Sequence, residues 1–309
     1  MSALAEAVAE YLRVRRAMGH QLERAEALLG QFVAHLASVG ATTVTVEEAV
    51  AWATMPVGGG RAWIGIRLGV VRSFATWLQA RDPSAEVPPP DAVGPRGARR
   101  ADPYLYTDEE IGALMDTGGR MSRGLQRHTF PALIGLLAVS GMRISEAIAL
   151  DRDDICWEEG RLLVEGAKFG KSRYVALHQT SLDALGEYAR RRDHVVRTPQ
   201  SPSFFLSNAG TRLISVDVQR RFRVVARRAG MVARSERCRP RLHDFRHRFA
   251  VQTLTEWYAA GLDVGPRLPL LATHLGHTDP RSTYWYLTAT PQLLALAAGR
   301  LGQAWQGTR

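Results

Sequence analysis

The stretch Ser140-Gly141-Met142-Arg143-Ile144-Ser145-Glu146 decides how the longer half of this chain is read. An apolar run, Ala132 to Val139, leads into it, so the glycine ends one helix and Arg143 opens the next. Upstream, Thr107-Asp108-Glu109-Glu110 is a helix start, because Thr107 can cap the free amides of the first turn and Glu110 can reach back to the Thr107 amide. Downstream, Arg161-Leu162-Leu163-Val164 and Arg173-Tyr174-Val175-Ala176-Leu177 read as strands. Glu165 to Ser172, with two glycines, joins them into a hairpin with Lys168 and Lys171 in or beside its turn. From Thr180 the helical pattern resumes, with helices expected over 216–229, over 242–258 and from near Pro291.

The first 80 residues carry a different set of stripes. Leu29, Phe32, Val33 and Leu36 share one helical face, and Ile64, Leu68, Val71, Ala75 and Leu78 share another, as in the amphipathic helices of one small bundle. A stretch rich in proline and glycine, from Asp82-Pro83-Ser84 through Pro88-Pro89-Pro90 to Arg99-Arg100, has no periodicity and reads as a linker. The expected fold is mainly α with a small antiparallel β-sheet. The expected division is a helical domain over 1–82, a linker over 83–103, a second domain over 104–298 and a tail over 299–309, where Leu301 and Trp305 could pack on their own domain or on a neighbouring subunit.

Composition narrows the function. The longest apolar run is too short to cross a bilayer, and the N-terminus lacks a basic-then-apolar signal, so a cytoplasmic protein is expected. Cys156 and Cys238 offer neither a disulfide framework nor a thiolate metal site. The formal charge of +10 fits a polyanionic partner, nucleic acid first, or reflects an arginine-rich composition alone. Its placement says more: between Arg220 and Arg248 lie eleven arginines and only two acids, Glu236 and Asp244. Arg61, Arg67 and Arg72, on or near the polar side of the second stripe, are either a DNA-facing or merely a solvated surface. Every cationic side chain other than histidine is arginine, except Lys168 and Lys171. Lysine can release a proton where arginine cannot, so a proton donor is sought there.

Four separated segments hold polar groups that packing does not require. They are the Arg143 segment, the hairpin lysine, His243-Asp244-Phe245-Arg246-His247, and Leu275-Gly276-His277 with Tyr286 nine residues on. His243 and Arg246, three apart, share a helical face. In this order the segments resemble the tyrosine recombinase and phage integrase family, whose signature is an arginine, a hairpin lysine, His-x-x-Arg, Leu-Gly-His and a trailing tyrosine. The resemblance covers 104–294, and the helical bundle before it is similar in kind to the family's core-binding domain.

That resemblance implies an enzyme that breaks and rejoins double-stranded DNA at specific sites through a 3′-phosphotyrosine on Tyr286, as a homo-tetramer. Arg143 and Arg246 would bind the charge that gathers on the attacked phosphate. His243 and His277 would add hydrogen bonds, with His243 a candidate to take the proton of the Tyr286 hydroxyl. Lys168 would protonate the departing 5′-oxygen, and no cofactor is expected. Glu146 and Asp244 would orient arginines or imidazoles. Lys171, Arg220 and Arg221 would join the DNA contacts. Tyr284 is the rival nucleophile and Lys171 the rival acid. Trp285 between the two tyrosines leaves a packed aromatic stripe open, and His274, three before His277, makes a poor zinc site. The stretch 250–270, with Trp257, Gly261, Gly265 and Pro269, is long for the family and is expected to add a turn or loop. A type IB topoisomerase and a non-catalytic DNA-binding partner are the competing functions.

Overall fold

The structure, a computed structural model, describes residues 2–55, 60–94, 101–167, 171–277, 279, 281–288, 293–296 and 298–299. Contacts divide the chain into two units, Met1–Ala101 and Asp102–Arg309. In the first, α1 (Ala3–Ala17), α2 (Glu23–Ser38), α3 (Val46–Thr54) and α4 (Arg61–Gln79) bury one face each. The stripes read from sequence meet here: Leu29, Phe32 and Leu36 of α2 and Leu68, Val71 and Ala75 of α4 lie in one core with Tyr11 and Trp52. Burial of this apolar area is the main stabilising term.

Two readings of this unit need correction. Arg67 is not on the polar side of α4. It is buried, with its guanidinium 3.6 Å from the centre of the Trp52 ring and Nη2 donating to the Trp52 carbonyl at 2.6 Å, and burial pulls its pKa down. The proline-rich stretch up to Gly94 is no free linker either. Ala85 is buried in the core, the Glu86 amide donates to the Val44 carbonyl, and Arg72 donates to the carbonyls of Pro88 and Pro89 at 2.7 and 2.9 Å. Prolines have no N–H, which removes ladder bonding but leaves their carbonyls for such donors. Arg99 and Arg100 lie outside the described residues.

The second unit begins with the expected capping box. Thr107 Oγ1 accepts from the Glu110 amide at 3.2 Å, and Glu110 Oε2 accepts from the Thr107 amide at 2.9 Å, opening α5 (Asp108–Arg120). α6 (Gln126–Ser140) ends at Gly141, whose φ of 61° suits a residue without a Cβ, and α7 (Ile144–Ala149) follows. A sheet of β1 (Ile155–Cys156), β2 (Arg161–Ala167) and β3 (Lys171–Ala176) is antiparallel in the order β1-β2-β3. Its register pairs Leu162 with Val175 and Val164 with Arg173, and the apolar members of these pairs are buried.

α8 (Gln179–Val195), α9 (Ser215–Arg228) and α10 (Asp244–Ala259) complete the main core, where Phe204, Phe205, Phe222 and Phe245 pack with Leu133, Ile134 and Leu137 of α6. After α10 come a turn at Gly261, a single 3-10 turn (Gly265–Arg267) and α11 (Leu268–Leu275), so the extra length at 250–270 is mostly helix. α12 (Arg281–Tyr284) runs into a 3-10 turn, Trp285–Thr288. These last elements and α10 share a smaller core of Leu254, Leu271, Leu275, Tyr286 and Leu293. Pro291, Leu301 and Trp305 lie outside the described residues. Among the described residues, no helix is long and apolar enough to cross a membrane.

Candidate active site

Two helix ends bring the cationic groups together. Gly141 at the end of α6 and Gly276 at the end of α11 both adopt positive φ, 61° and 65°, and turn their neighbouring carbonyls toward arginines. Arg246, on the first turn of α10, is buried and donates Nη1 to the Gly141 carbonyl at 2.9 Å and Nη2 to the Leu275 carbonyl. Arg143, just before α7, donates Nη2 to the Gly276 carbonyl at 3.0 Å and Nη1 to Glu146 Oε1 at 2.6 Å.

Glu146 also holds a residue that the sequence reading missed. Arg173 on β3 reaches both carboxylate oxygens, at 3.1 and 2.8 Å, and gives its Nε to the His274 carbonyl at 2.7 Å. Burial raises the Glu146 pKa, but the donors from Arg173 and Arg143 outweigh it and hold the carboxyl at about 2. Two guanidinium groups thus share one carboxylate, and with Arg246 held on backbone carbonyls the cluster is net positive. Burial first, and then the neighbouring charge of Arg143, pull the Arg246 pKa down to about 10, which still leaves it charged at neutral pH. A guanidinium buried on backbone carbonyls keeps its charge uncompensated, a condition that an anionic phosphate relieves.

Tyr286 meets this cluster. It is only 1% exposed, and its ring lies 6.1 Å from that of His277 at an interplanar angle of 16°. Its hydroxyl lies 3.1 Å from Nδ1 of His247, a second missed residue. The sequence signal for His247 was its position four residues after His243, on the same helical face. The two imidazoles meet edge to face with centroids 4.7 Å apart; His243 is exposed and His247 is buried. His277 is fixed by a third missed residue, Thr283, whose Oγ1 lies 2.7 Å from Nδ1. Tyr284 is 53% exposed, on the outside of α12. The packed reading therefore describes Tyr286, a core residue whose hydroxyl meets an imidazole.

Arg143, His243, Arg246, His277 and Tyr286 are thus gathered in one place. Lys168 lies outside the described residues, and Lys171 opens β3 with its backbone opposite Ala167. Asp244 is turned away from the cluster: it is buried against Arg241 in a two-pronged pair of 3.0 and 2.7 Å, so it orients that arginine and neither Arg143 nor Arg246. His274 is a packed histidine, stacked on Phe249 and bonded to the Ser140 carbonyl at 2.9 Å. Among the described residues, no group of three metal-ligating side chains forms. Of the expected DNA contacts, Arg61 and Arg220 are exposed, while Arg72 serves the carbonyls of Pro88 and Pro89. Arg221 also differs: it is partly buried, sits over the Phe130 ring and donates to the Ser122 hydroxyl, because α9 turns this position toward α6.

Residues 106–292 match the Phage integrase family. The chain is 38% identical to y4rB of Sinorhizobium fredii, which carries the name of an integrase/recombinase, over 99% of both chains. It is 27% identical to tyrosine recombinase XerC of Alcanivorax borkumensis over 74% of this chain and 69% of that one. Among solved structures, the Tn1549 transposon integrase in complex with transposon right end DNA superposes with a TM-score of 0.65 at 18% identity, over 98% of this chain and all of that one. The chain belongs to the phage integrase family, and it is a tyrosine-type site-specific DNA recombinase.

Proposed function

We propose that this recombinase cleaves and rejoins duplex DNA at short specific sites with Tyr286 as its nucleophile, in the integration, excision or transposition of a mobile element. The observation that carries this reading is the net-positive cluster of part-buried Arg143 and Arg173 on one carboxylate with buried Arg246, next to Tyr286 and the imidazole at its hydroxyl. Attack by the hydroxyl oxygen forms an O–P bond and drives charge onto the non-bridging oxygens, where preorganised guanidinium groups lower the barrier. The P–O5′ bond then breaks. Lys168 supplies the proton that lets the 5′-oxygen leave as a hydroxyl, and an imidazole receives the tyrosine proton. The 3′-phosphotyrosine conserves the ester, so a 5′-hydroxyl from another strand reverses the step without an external energy source. The complete family signature, and solved relatives in complex with DNA such as the Tn1549 integrase, support duplex DNA as the partner. A homo-tetramer on two paired sites is the assembly that strand exchange requires.

The test is to incubate wild-type and Tyr286→Phe protein with nicked duplexes from the borders of the gene's own DNA, then denature and look for a protein–DNA adduct. The wild type is expected to form one, while Tyr286→Phe binds equally well and forms none. An adduct that survives in Tyr286→Phe moves the nucleophile to another residue, Tyr284 first.

A further inference from the structure

We propose that His247, rather than His243, is the catalytic residue that takes the proton from the Tyr286 hydroxyl. The inference rests on Tyr286 as the nucleophile. Its first support is distance: Nδ1 of His247 lies 3.1 Å from the hydroxyl oxygen, within the reach that proton transfer needs. Its second is restraint. The His247 ring is buried and held on three sides, by Trp285 at 5.3 Å, Tyr286 at 5.5 Å and His243 at 4.7 Å between ring centroids. A base locked by packing loses little freedom at the moment of transfer. His243 is exposed at the head of α10, where a hydrogen bond to the phosphate suits it better.

With its own hydrogen on Nε2, the His247 imidazole accepts the hydroxyl hydrogen bond at Nδ1. As the Tyr286 oxygen bonds to phosphorus, its O–H bond breaks and the proton passes to Nδ1, giving an imidazolium, while P–O5′ cleaves and the 5′-oxygen takes a proton from Lys168. Religation returns both protons, so neither group needs solvent to reset.

The experiment measures single-turnover adduct formation on a nicked duplex for wild type, His247→Ala, His247→Gln and His243→Ala, with DNA affinity recorded for each. Loss of a general base slows the step by roughly 100-fold or more. His247→Ala is expected to show that loss at unchanged affinity and to recover as free imidazole is added, because the vacated space admits it. His247→Gln keeps the hydrogen bond and much of the volume but cannot take a proton, so it stays slow. Replacing Tyr286 with a fluorinated tyrosine of lower pKa should shrink the penalty of both variants. Wild-type rates in His247→Gln overturn the proposal. So does a loss that neither imidazole nor the fluorinated tyrosine lessens, which would mark His247 as packing only. Absence of an adduct even in the wild type would instead remove Tyr286 as nucleophile, and this inference with it.

Discussion

Glu146 is a single carboxylate with two guanidinium partners, and its ionisation is tied to folding. Its folded pKa of about 2 lies below its ordinary value of 4.5. The stability it adds is therefore fully present above 4.5 and is lost as pH falls through 2, a contribution of about 3 kcal/mol at neutral pH. Glu146→Gln should lose about that much at pH 7 in denaturant titrations, and the gap to wild type should close toward pH 2. A gap that stays constant with pH would mean that the carboxylate is not charged in the fold. Arg143, His243, Arg246, His277 and Tyr286, which the fold gathers in one place, stood out in the sequence through the order and spacing of the motifs that hold them. Arg173 could not: in an arginine-rich chain, an arginine on a strand looks like any exposed one, and its partner lies 27 residues earlier. Thr283 was equally silent, since a threonine near a histidine is commonplace.

At the scale of elements, the site is made by helix ends. A Cβ on Gly276 would sit 2.9 Å from Nη1 of Arg173, and the backbone there has a φ of 65°. Gly276→Ala should thus cost about 1–2 kcal/mol in backbone strain and push Arg173 off Glu146. The expected result is DNA binding near the wild-type level with adduct formation slowed at least tenfold, measured on the nicked duplex. Normal cleavage would show that Arg173 does not position the cluster. Periodicity and caps made most elements legible: the 216–229 and 242–258 helices begin and end within two residues of α9 and α10. The segments that escaped are those whose composition misleads. Prolines at 83–90 suggest a free chain, yet the carbonyls of Pro88 and Pro89 find donors in Arg72.

For the whole molecule, charge and core are separate matters, and Arg61 and Arg67 on one helix distinguish them. Arg61 is exposed, whereas Arg67 is buried on Trp52. If Arg61 contacts a phosphate, Arg61→Gln should reduce the salt dependence of log K by about one. Arg67→Gln should leave that slope alone and lower the melting temperature of the first unit. The reverse pattern would place Arg67 on the DNA after all. The buried Tyr286 has a consequence of its own at this scale. A basic protein searching a genome touches vast numbers of phosphates, and each contact is an opportunity to nick the wrong one. With Tyr286 buried in the core of Leu254, Leu271 and Leu275, a nucleophile there would not cut on collision alone. Only an encounter that lasts long enough to loosen that packing would expose its hydroxyl, so the fidelity of such an enzyme would reside in dwell time as well as in base recognition.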